Sequence, residues 1–229
     1  MMAGSNIIML LTVARGLEEL NERVVYVGGS VAELYATDPA ATEVRPTIDI
    51  DCVIELATYS KLSELETILR KKGFHNDLTP NAPICRWLYN GIVVDIMPDD
   101  ENVMGFTNRW YKSGMKHKVQ KALTDDITVS IFPVEYYLAT KMEAVHGRGG
   151  GDLRQSHDFE DIIYIMNSCN ELKMTIGGSS DQELKKYVGQ NCKYFLNDPN
   201  IMEVIECALP YGEEERAVLI YELMSDLSC

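Results

Sequence analysis

The sequence is poor in the features that mark membrane, secreted and metal-thiolate proteins. No run approaches the roughly 18–20 apolar residues of a membrane-spanning helix, so we expect no membrane partner. The apolar run Ile7–Leu11 has no basic residue before it, unlike a signal peptide, so we expect an amphipathic first helix. The six cysteines form no C-x-x-C pair. This argues against a zinc site or a disulfide framework and favours reduced thiols in a cytoplasmic protein.

Positive charge is also scarce. The 229 residues carry 21 Lys and Arg against 35 Asp and Glu, a formal net charge of −14. Broad contact with nucleic acid or an anionic membrane needs clustered Lys and Arg, so this balance argues against both. With 46% hydrophobic and 24% charged residues, the composition is that of a globular protein with one domain or two small ones.

Hydrophobic periodicity divides the chain into a strand-rich first part and a helical second part. The predicted strands are 24–27, 48–56, 86–89, 92–97 and 128–132, with a hairpin turn at Asn90-Gly91. The predicted helices are 7–22, 31–36, 59–72, 133–146 and one capped by Ser156, followed by helices broken at Gly177-Gly178, Asp198-Pro199 and Pro210. This order predicts an α+β fold, with the sheet in residues 1–132 and a C-terminal helical bundle packed against it in residues 133–229.

Two carboxylates stand two residues apart in one predicted strand. In Thr47-Ile48-Asp49-Ile50-Asp51, the two Asp side chains share a face and lie about 6.6 Å apart along the strand. With no Lys or Arg beside them they repel each other, a cost that makes sense where a cation is bound. Mg²⁺ takes one or two carboxylates plus substrate phosphates. The alternative is an ordinary solvated strand face, with Ile48 on the apolar side.

Two further segments bear on this choice. Gly28-Gly29-Ser30 joins a predicted strand to a predicted helix. Glycines there let the backbone approach a phosphate, and the start of a helix offers free N–H groups to it. Taken alone, the same three residues indicate an ordinary turn. Asp95 lies inside an apolar strand, where a charge is costly without a partner. That partner is either a Lys or Arg, or a metal shared with Asp49 and Asp51 if the two strands are neighbours.

In this order the three segments resemble the polymerase-β-like nucleotidyltransferase superfamily, whose pattern is hG[GS], then [DE]h[DE]h, then a third carboxylate. Within it, Arg45-x-Thr47-x-Asp49-x-Asp51 is similar to the AbiEii-type (abortive infection) nucleotidyltransferase toxins. Their later motifs are x-x-A-x-K-h-x-A, an Arg, and K-D-x-x-D-h. Residues 138–144, Arg148 and residues 157–162 match them, except that His157 stands where Lys is usual. The resemblance covers roughly residues 20–166.

The resemblance implies a small mixed nucleotidyltransferase sheet flanked by helices, and a reaction. A nucleoside monophosphate would move from an NTP such as ATP to an acceptor hydroxyl, with release of pyrophosphate. Two Mg²⁺ ions would be held by Asp49, Asp51 and Asp95. Phosphates would contact Gly28, Gly29, Ser30 and Lys141, and the site would be lined by Arg148, Asp158 and Asp161. The acceptor would be tRNA, a protein or a small molecule, and an antitoxin would be a partner in a toxin–antitoxin or phage-defence system.

From the residues alone, other roles stay open for Lys141, Asp158 and Asp161. Lys141 is equally well explained as a surface lysine whose stem lies along apolar surface. Asp158 and Asp161 lie near the start of a predicted helix, where acidic side chains suit the helix dipole.

One segment departs from the acidic average. Five Lys and Arg and no Asp or Glu lie between Arg109 and Lys121, with Trp110 and Tyr111 interleaved. Arg109, Lys112 and Lys116 have helical spacing. Basic residues interleaved with aromatic residues can bind single-stranded nucleic acid or a triphosphate. Arg109 and Lys116 are therefore candidate substrate contacts. The alternative is a solvated helix face.

Two other functions compete with the leading one. An antibiotic-type nucleotidyltransferase would use a similar core on a small hydroxylated substrate, and the acidic chain suits a cationic one. A non-catalytic nucleotide- or partner-binding module is the second alternative, although the presence of all three carboxylates argues against a degenerate site.

Overall fold

A computed structural model of the chain describes residues 5–41, 44–56, 58–147 and 151–229. They form an α+β structure, in which a mixed seven-stranded sheet is flanked by helices and followed by C-terminal helices. The predicted fold class is therefore confirmed. The chain divides into two compact units: unit 1 is Met1–Val31 with Arg45–Pro133, and unit 2 is Ala32–Val44 with Val134–Cys229.

The sheet belongs to unit 1. Its strands are β1 (Val24–Val27), β2 (Asp49–Ile54), β3 (His75–Asn76), β4 (Arg86–Tyr89), β5 (Ile92–Pro98), β6 (Val119–Ala122) and β7 (Thr128–Ile131). They lie in the order β3-β4-β5-β2-β1-β7-β6. The pairs β2–β5 and β1–β7 are parallel, and the other pairs are antiparallel. β3 and β6 were not predicted from the sequence.

The β4–β5 hairpin turns where the sequence predicts it. Asn90 and Gly91 both have positive φ, 49° and 79°, as a two-residue type I′ turn requires. The turn pairs Tyr89 with Ile92, and this register places Arg86 opposite Asp95.

Helices complete unit 1. They are α1 (Ser5–Leu17), α2 (Tyr59–Lys71), α3 (Glu101–Met104) and α4 (Tyr111–Lys116), with 3-10 segments at Glu18–Glu22 and Gly29–Tyr35, the latter continuing into unit 2. α1 buries Leu10, Val13 and Leu17 completely. The helix predicted at 31–36 is the 3-10 segment that begins at Gly29.

The basic segment does not form the single helix that its spacing suggests. Only α4 is helical there, so Arg109 precedes the helix, and Lys121 lies in β6. All four β6 residues are exposed, so the strand has no buried face and no hydrophobic alternation to detect. β6 is stabilised instead by its pairing with β7. The turn between the two strands is closed by a hydrogen bond from Leu123 N–H to Ile127 O.

The start of β2 also differs from the prediction. Ile50, Cys52 and Ile54 are buried as expected, but the strand begins at Asp49, and Ile48 is 83% exposed. Placing Ile48 on the apolar face was therefore wrong, because the alternation begins only where β2 pairs with its neighbours.

Unit 2 is helical in its described part. Its helices are α5 (Val134–Gly147), α6 (His157–Ser168), α7 (Leu172–Gly178), α8 (Gln182–Leu196), α9 (Ile201–Ala208) and α10 (Arg216–Leu227). Ser156 caps α6 by accepting a hydrogen bond from Phe159 N–H, as predicted. Tyr35, from the first chain segment of unit 2, packs on Tyr137 of α5 with ring centroids 4.7 Å apart. Within the described ranges, no helix combines the length and the apolarity needed to cross a bilayer.

Candidate functional site

Neighbouring strands place the predicted acidic residues on one face of the sheet. The register pairs Val27 of β1 with Asp51 of β2, Asp51 with Asp95 of β5, and Asp95 with Arg86 of β4. Directly opposite residues project from the same face of a sheet, and so does the residue two positions earlier on a strand. Asp49, Asp51, Asp95 and Arg86 therefore share one face, and β5 lies beside β2 as the sequence-based hypothesis requires.

The three carboxylates converge on one point. One oxygen from each of Asp49, Asp51 and Asp95 lies within 4.8 Å of the others. Asp95 is only 8% exposed, while the other two are partly exposed. Two unit charges at this separation repel by about 3.5 kcal/mol at an effective dielectric constant of about 20. The cluster therefore needs positive charge close to it.

Arg86 supplies part of that charge. Its Nε donates to Asp95 Oδ1 at 2.9 Å and its Nη2 donates to Asp95 Oδ2 at 2.8 Å. The pKa of Arg86 is raised, chiefly by these hydrogen bonds and then by the charges of Asp95 and Asp49. An ionised carboxylate has about four lone-pair sites, so two remain on Asp95. Of the two partners that the sequence left open, the structure shows the arginine, and the pairing leaves room for a cation.

The sequence contained a signal for this arginine that the sequence analysis missed. Arg86 lies four residues before Asn90, and Asp95 lies four residues after Gly91. Residues equally distant from a two-residue hairpin turn face each other across the two strands, so the turn prediction already implied an Arg86–Asp95 pair.

A second missed group orients Asp49. Thr47 Oγ1 donates to Asp49 Oδ1 at 2.8 Å. Thr47 is held by its backbone N–H, which donates to Asn6 Oδ1, while Asn6 Nδ2 donates to Arg45 O, both at 3.1 Å. Asn6 is 1% exposed. A buried amide on α1 therefore fixes the segment that enters β2, and no sequence motif marks that long-range role.

Gly28 packs directly against the cluster. Its φ is +72°, and a Cβ atom there would lie 1.9 Å from Asp51 Oδ2. Any side chain would therefore displace the Asp51 carboxylate. Gly29 begins the 3-10 segment, and Ser30 is 1% exposed with its hydroxyl donating to Val27 O at 3.4 Å. Phosphate contact by these three residues stays a prediction.

The ligand chemistry at the cluster suits a hard cation. Two buried thiols lie nearby. Burial, together with the nearby charges of Asp95 and Asp51, raises the pKa of Cys85 to about 12. Burial also raises the pKa of Cys52. Neither thiol ionises at neutral pH, so the available donors are carboxylate oxygens, which Mg²⁺ and Ca²⁺ prefer to thiolate. The residues present therefore fit Mg²⁺.

A second predicted group meets within unit 2. Lys141 is 7% exposed, and its Nζ lies 3.3 Å from Asp158 Oδ1 and 2.6 Å from Asp161 Oδ2. The explanation of Lys141 as a surface lysine is therefore wrong, because α5 and α6 bury it between two carboxylates. Asp158 also lines a cavity of about 300 Å³ with His157. Arg148 lies outside the described residues.

The basic segment borders a different part of unit 1. The Arg109 guanidinium lies over the Trp110 ring, 5.1 Å from its centroid. Lys116 lines a cavity of about 450 Å³ with Ile54, the last residue of β2, and Asp99, the residue after β5. Ile54 is three residues beyond Asp51, about 10 Å along the strand. The cavity that Lys116 lines is therefore at the end of β2, whereas Asp49 and Asp51 lie in its first half. Substrate contact by Arg109 and Lys116 stays a prediction.

No family model and no curated protein matches this chain. The family resemblance therefore rests on the motifs alone.

Proposed function

We propose that the chain is a Mg²⁺-dependent nucleotidyltransferase. It would transfer a nucleoside monophosphate from an NTP to an acceptor hydroxyl and release pyrophosphate. The observation that carries the proposal is the convergence of the carboxylates of Asp49, Asp51 and Asp95 within 4.8 Å, beside a glycine that no other residue could replace without displacing one of them.

The chain's own residues have separable roles in this proposal. Thr47 orients Asp49, Gly28 leaves space for Asp51, and Arg86 holds Asp95 in place while offsetting part of its charge. When bound, Mg²⁺ supplies the charge that neutralises the phosphates, on which phosphoryl transfer mainly depends.

Roles for Lys141, Asp158 and Asp161 at the nucleotide rest on the motif resemblance. So does a biological role as the toxin of a toxin–antitoxin or phage-defence system.

The test is transfer of label from α-³²P-labelled NTPs. Each of the four NTPs is incubated with the protein, Mg²⁺ and a cell extract, and pyrophosphate release is measured in parallel. We expect one or more NTPs to label an acceptor, and Asp49→Asn with Asp51→Asn to abolish labelling. The control is Glu101→Gln with Asp125→Asn, which removes the same charge from exposed positions. Equal labelling by the two double variants would overturn the proposal.

Two observations favour alternatives that the same experiment separates. The net charge of −14 suits a small cationic acceptor, as in an antibiotic-type enzyme, and label would then appear in the low-mass fraction that resists nuclease and protease. The bidentate Arg86–Asp95 pair suits a non-catalytic module. In that case no label is transferred, although Mg²⁺-dependent NTP binding still raises the melting temperature.

A further inference from the structure

A cavity of about 640 Å³ lies within unit 2, among α7, α8 and the end of α10. This volume falls within the range of small-molecule sites in proteins, roughly 300–1,000 Å³. The lining includes four lysines, Lys173, Lys185, Lys186 and Lys193, and a single acidic side chain, Asp226.

This concentration of positive charge runs against the composition of the unit. The two chain segments of unit 2 contain 20 Asp and Glu against 8 Lys and Arg, and only five of the eight are lysines. Four of those five lysines line the one cavity. Asp226 is the one acidic side chain on this wall, so it offsets only part of the repulsion among the lysines.

Two of the lysines already have partners that explain their positions. Lys173 Nζ lies 2.6 Å from Asp226 Oδ2, and Lys185 Nζ donates to Gly177 O at 2.7 Å. The second contact satisfies a carbonyl at the end of α7, as lysines near helix C-termini commonly do. In the described ranges no ion pair or side-chain hydrogen bond involves Lys186 or Lys193. Both side chains are exposed, and the two residues lie seven positions apart, about two turns along α8. Their amines are therefore available to a ligand.

The rest of the wall offers apolar surface and close backbone approach. Ile176 of α7 and Leu227 of α10 line the cavity. A Cβ on Gly189 would lie 2.9 Å from Leu227 O, so the glycine lets α8 and α10 approach closely. The wall thus combines free ammonium groups with aliphatic side chains, the combination that a charged organic molecule requires.

We propose that this cavity binds a phosphate-bearing small molecule of nucleotide size, with Lys186 and Lys193 contacting the phosphate and Ile176 and Leu227 contacting its organic part. The lysine ammonium is a compact charge that binds phosphate well. The site lies in unit 2, whereas the acidic cluster lies in unit 1, so this proposal does not depend on the proposed function.

The test is calorimetric titration of the full chain at low ionic strength with inorganic pyrophosphate and, separately, with AMP. EDTA is present throughout, so that no divalent cation can recruit phosphate to the acidic cluster. Lys186→Gln with Lys193→Gln removes the two free amines. The matched control is Lys61→Gln with Lys71→Gln on the exposed face of α2.

We expect at least one probe to bind, and the Lys186/Lys193 variant to weaken it by at least tenfold, since a charged hydrogen bond is worth about tenfold or more in affinity. Binding should survive in the control and in Asp49→Asn with Asp51→Asn, which also separates this result from a failure of the proposed enzyme. Tighter binding of AMP would locate the organic part on the apolar wall. Absence of binding at millimolar concentrations of both probes, or equal affinity in the two lysine double variants, would overturn the proposal.

Discussion

Replacing Arg86 with Gln tests the electrostatic design of the acidic cluster directly. The substitution removes the charge and both hydrogen bonds to Asp95 while keeping much of the side-chain volume. Asp95 would then stand almost buried beside Asp49 and Asp51, with a cation as the remaining source of compensating charge.

The expected cost follows from the burial of the pair. The Arg86 and Asp95 side chains are 28% and 11% exposed. Breaking a buried pair costs about 3–5 kcal/mol, whereas an exposed pair is worth about 1 kcal/mol or less. An intermediate value of about 2 kcal/mol corresponds to a fall of about 4–8 °C in melting temperature.

The second consequence concerns the metal. Removing a positive charge next to the cluster should tighten Mg²⁺ binding, and a tenfold gain adds about 1.4 kcal/mol of stabilisation at saturating Mg²⁺. The Arg86→Gln variant should therefore be less stable than the parent protein in EDTA but should gain about 3–5 °C more than the parent when Mg²⁺ is added.

Thermal unfolding in EDTA and in a Mg²⁺ series measures both effects. Arg70→Gln is the control, since Arg70 also pairs with a carboxylate, Glu66, but is half exposed on α2. We expect that variant to lose at most about 1 kcal/mol and to keep the parent response to Mg²⁺. Equal stabilisation of Arg86→Gln, Arg70→Gln and the parent protein by Mg²⁺ would contradict the electrostatic role of Arg86.

Three further predictions concern other parts of the chain. Gly28→Ala and Gly105→Ala both place alanine at positive φ, at a cost of about 1–2 kcal/mol, but only Gly28→Ala should also abolish Mg²⁺-induced thermal stabilisation; equal responses would contradict the close packing at Gly28. Lys141→Met should lower the free energy of unfolding by about 3–5 kcal/mol in urea titrations, because it leaves two buried carboxylates without their cation; a loss below 1 kcal/mol would contradict that burial. Asp38→Asn should destabilise the protein at neutral pH, because a backbone hydrogen bond and Arg216 lower the pKa of Asp38. Because the folded-state pKa is lowered, this stabilisation is present above the ordinary Asp pKa and is lost as the pH falls through the lowered pKa. The difference in urea midpoint between the variant and the parent protein should therefore shrink in acid, and a difference that stays constant with pH would contradict this role of Asp38.

The parts of the site that the sequence predicted are those governed by local rules. Period-two alternation put Asp49 and Asp51 on one face, and the Asn90-Gly91 turn marked the strand that carries Asp95. Each of these patterns is set within about ten residues of chain, which is why reading it along the sequence suffices.

The parts that were missed depend on partners distant in sequence. Asn6 acts on a segment about forty residues away, and no local pattern reveals which loop a buried amide will hold. Lys141 was ambiguous because its burial depends on the packing of α6 against α5, and the charge of a lysine alone predicts an exposed position. β6 was missed because all its side chains are exposed, so only its pairing with β7 makes it a strand.

Unit 2 is built from two stretches of chain, and this limits how the protein can be divided. Residues 32–44 supply Tyr35, which stacks on Tyr137, and the backbone N–H groups of Thr37 and Asp38, which both donate to Ser168 O. A fragment cut at residue 133 would leave these groups on the wrong piece. The chain therefore passes between the units three times. A single cut in the chain would separate neither unit intact. Isolating unit 2 would require removing residues 45–133 and joining residues 32–44 to the helical part.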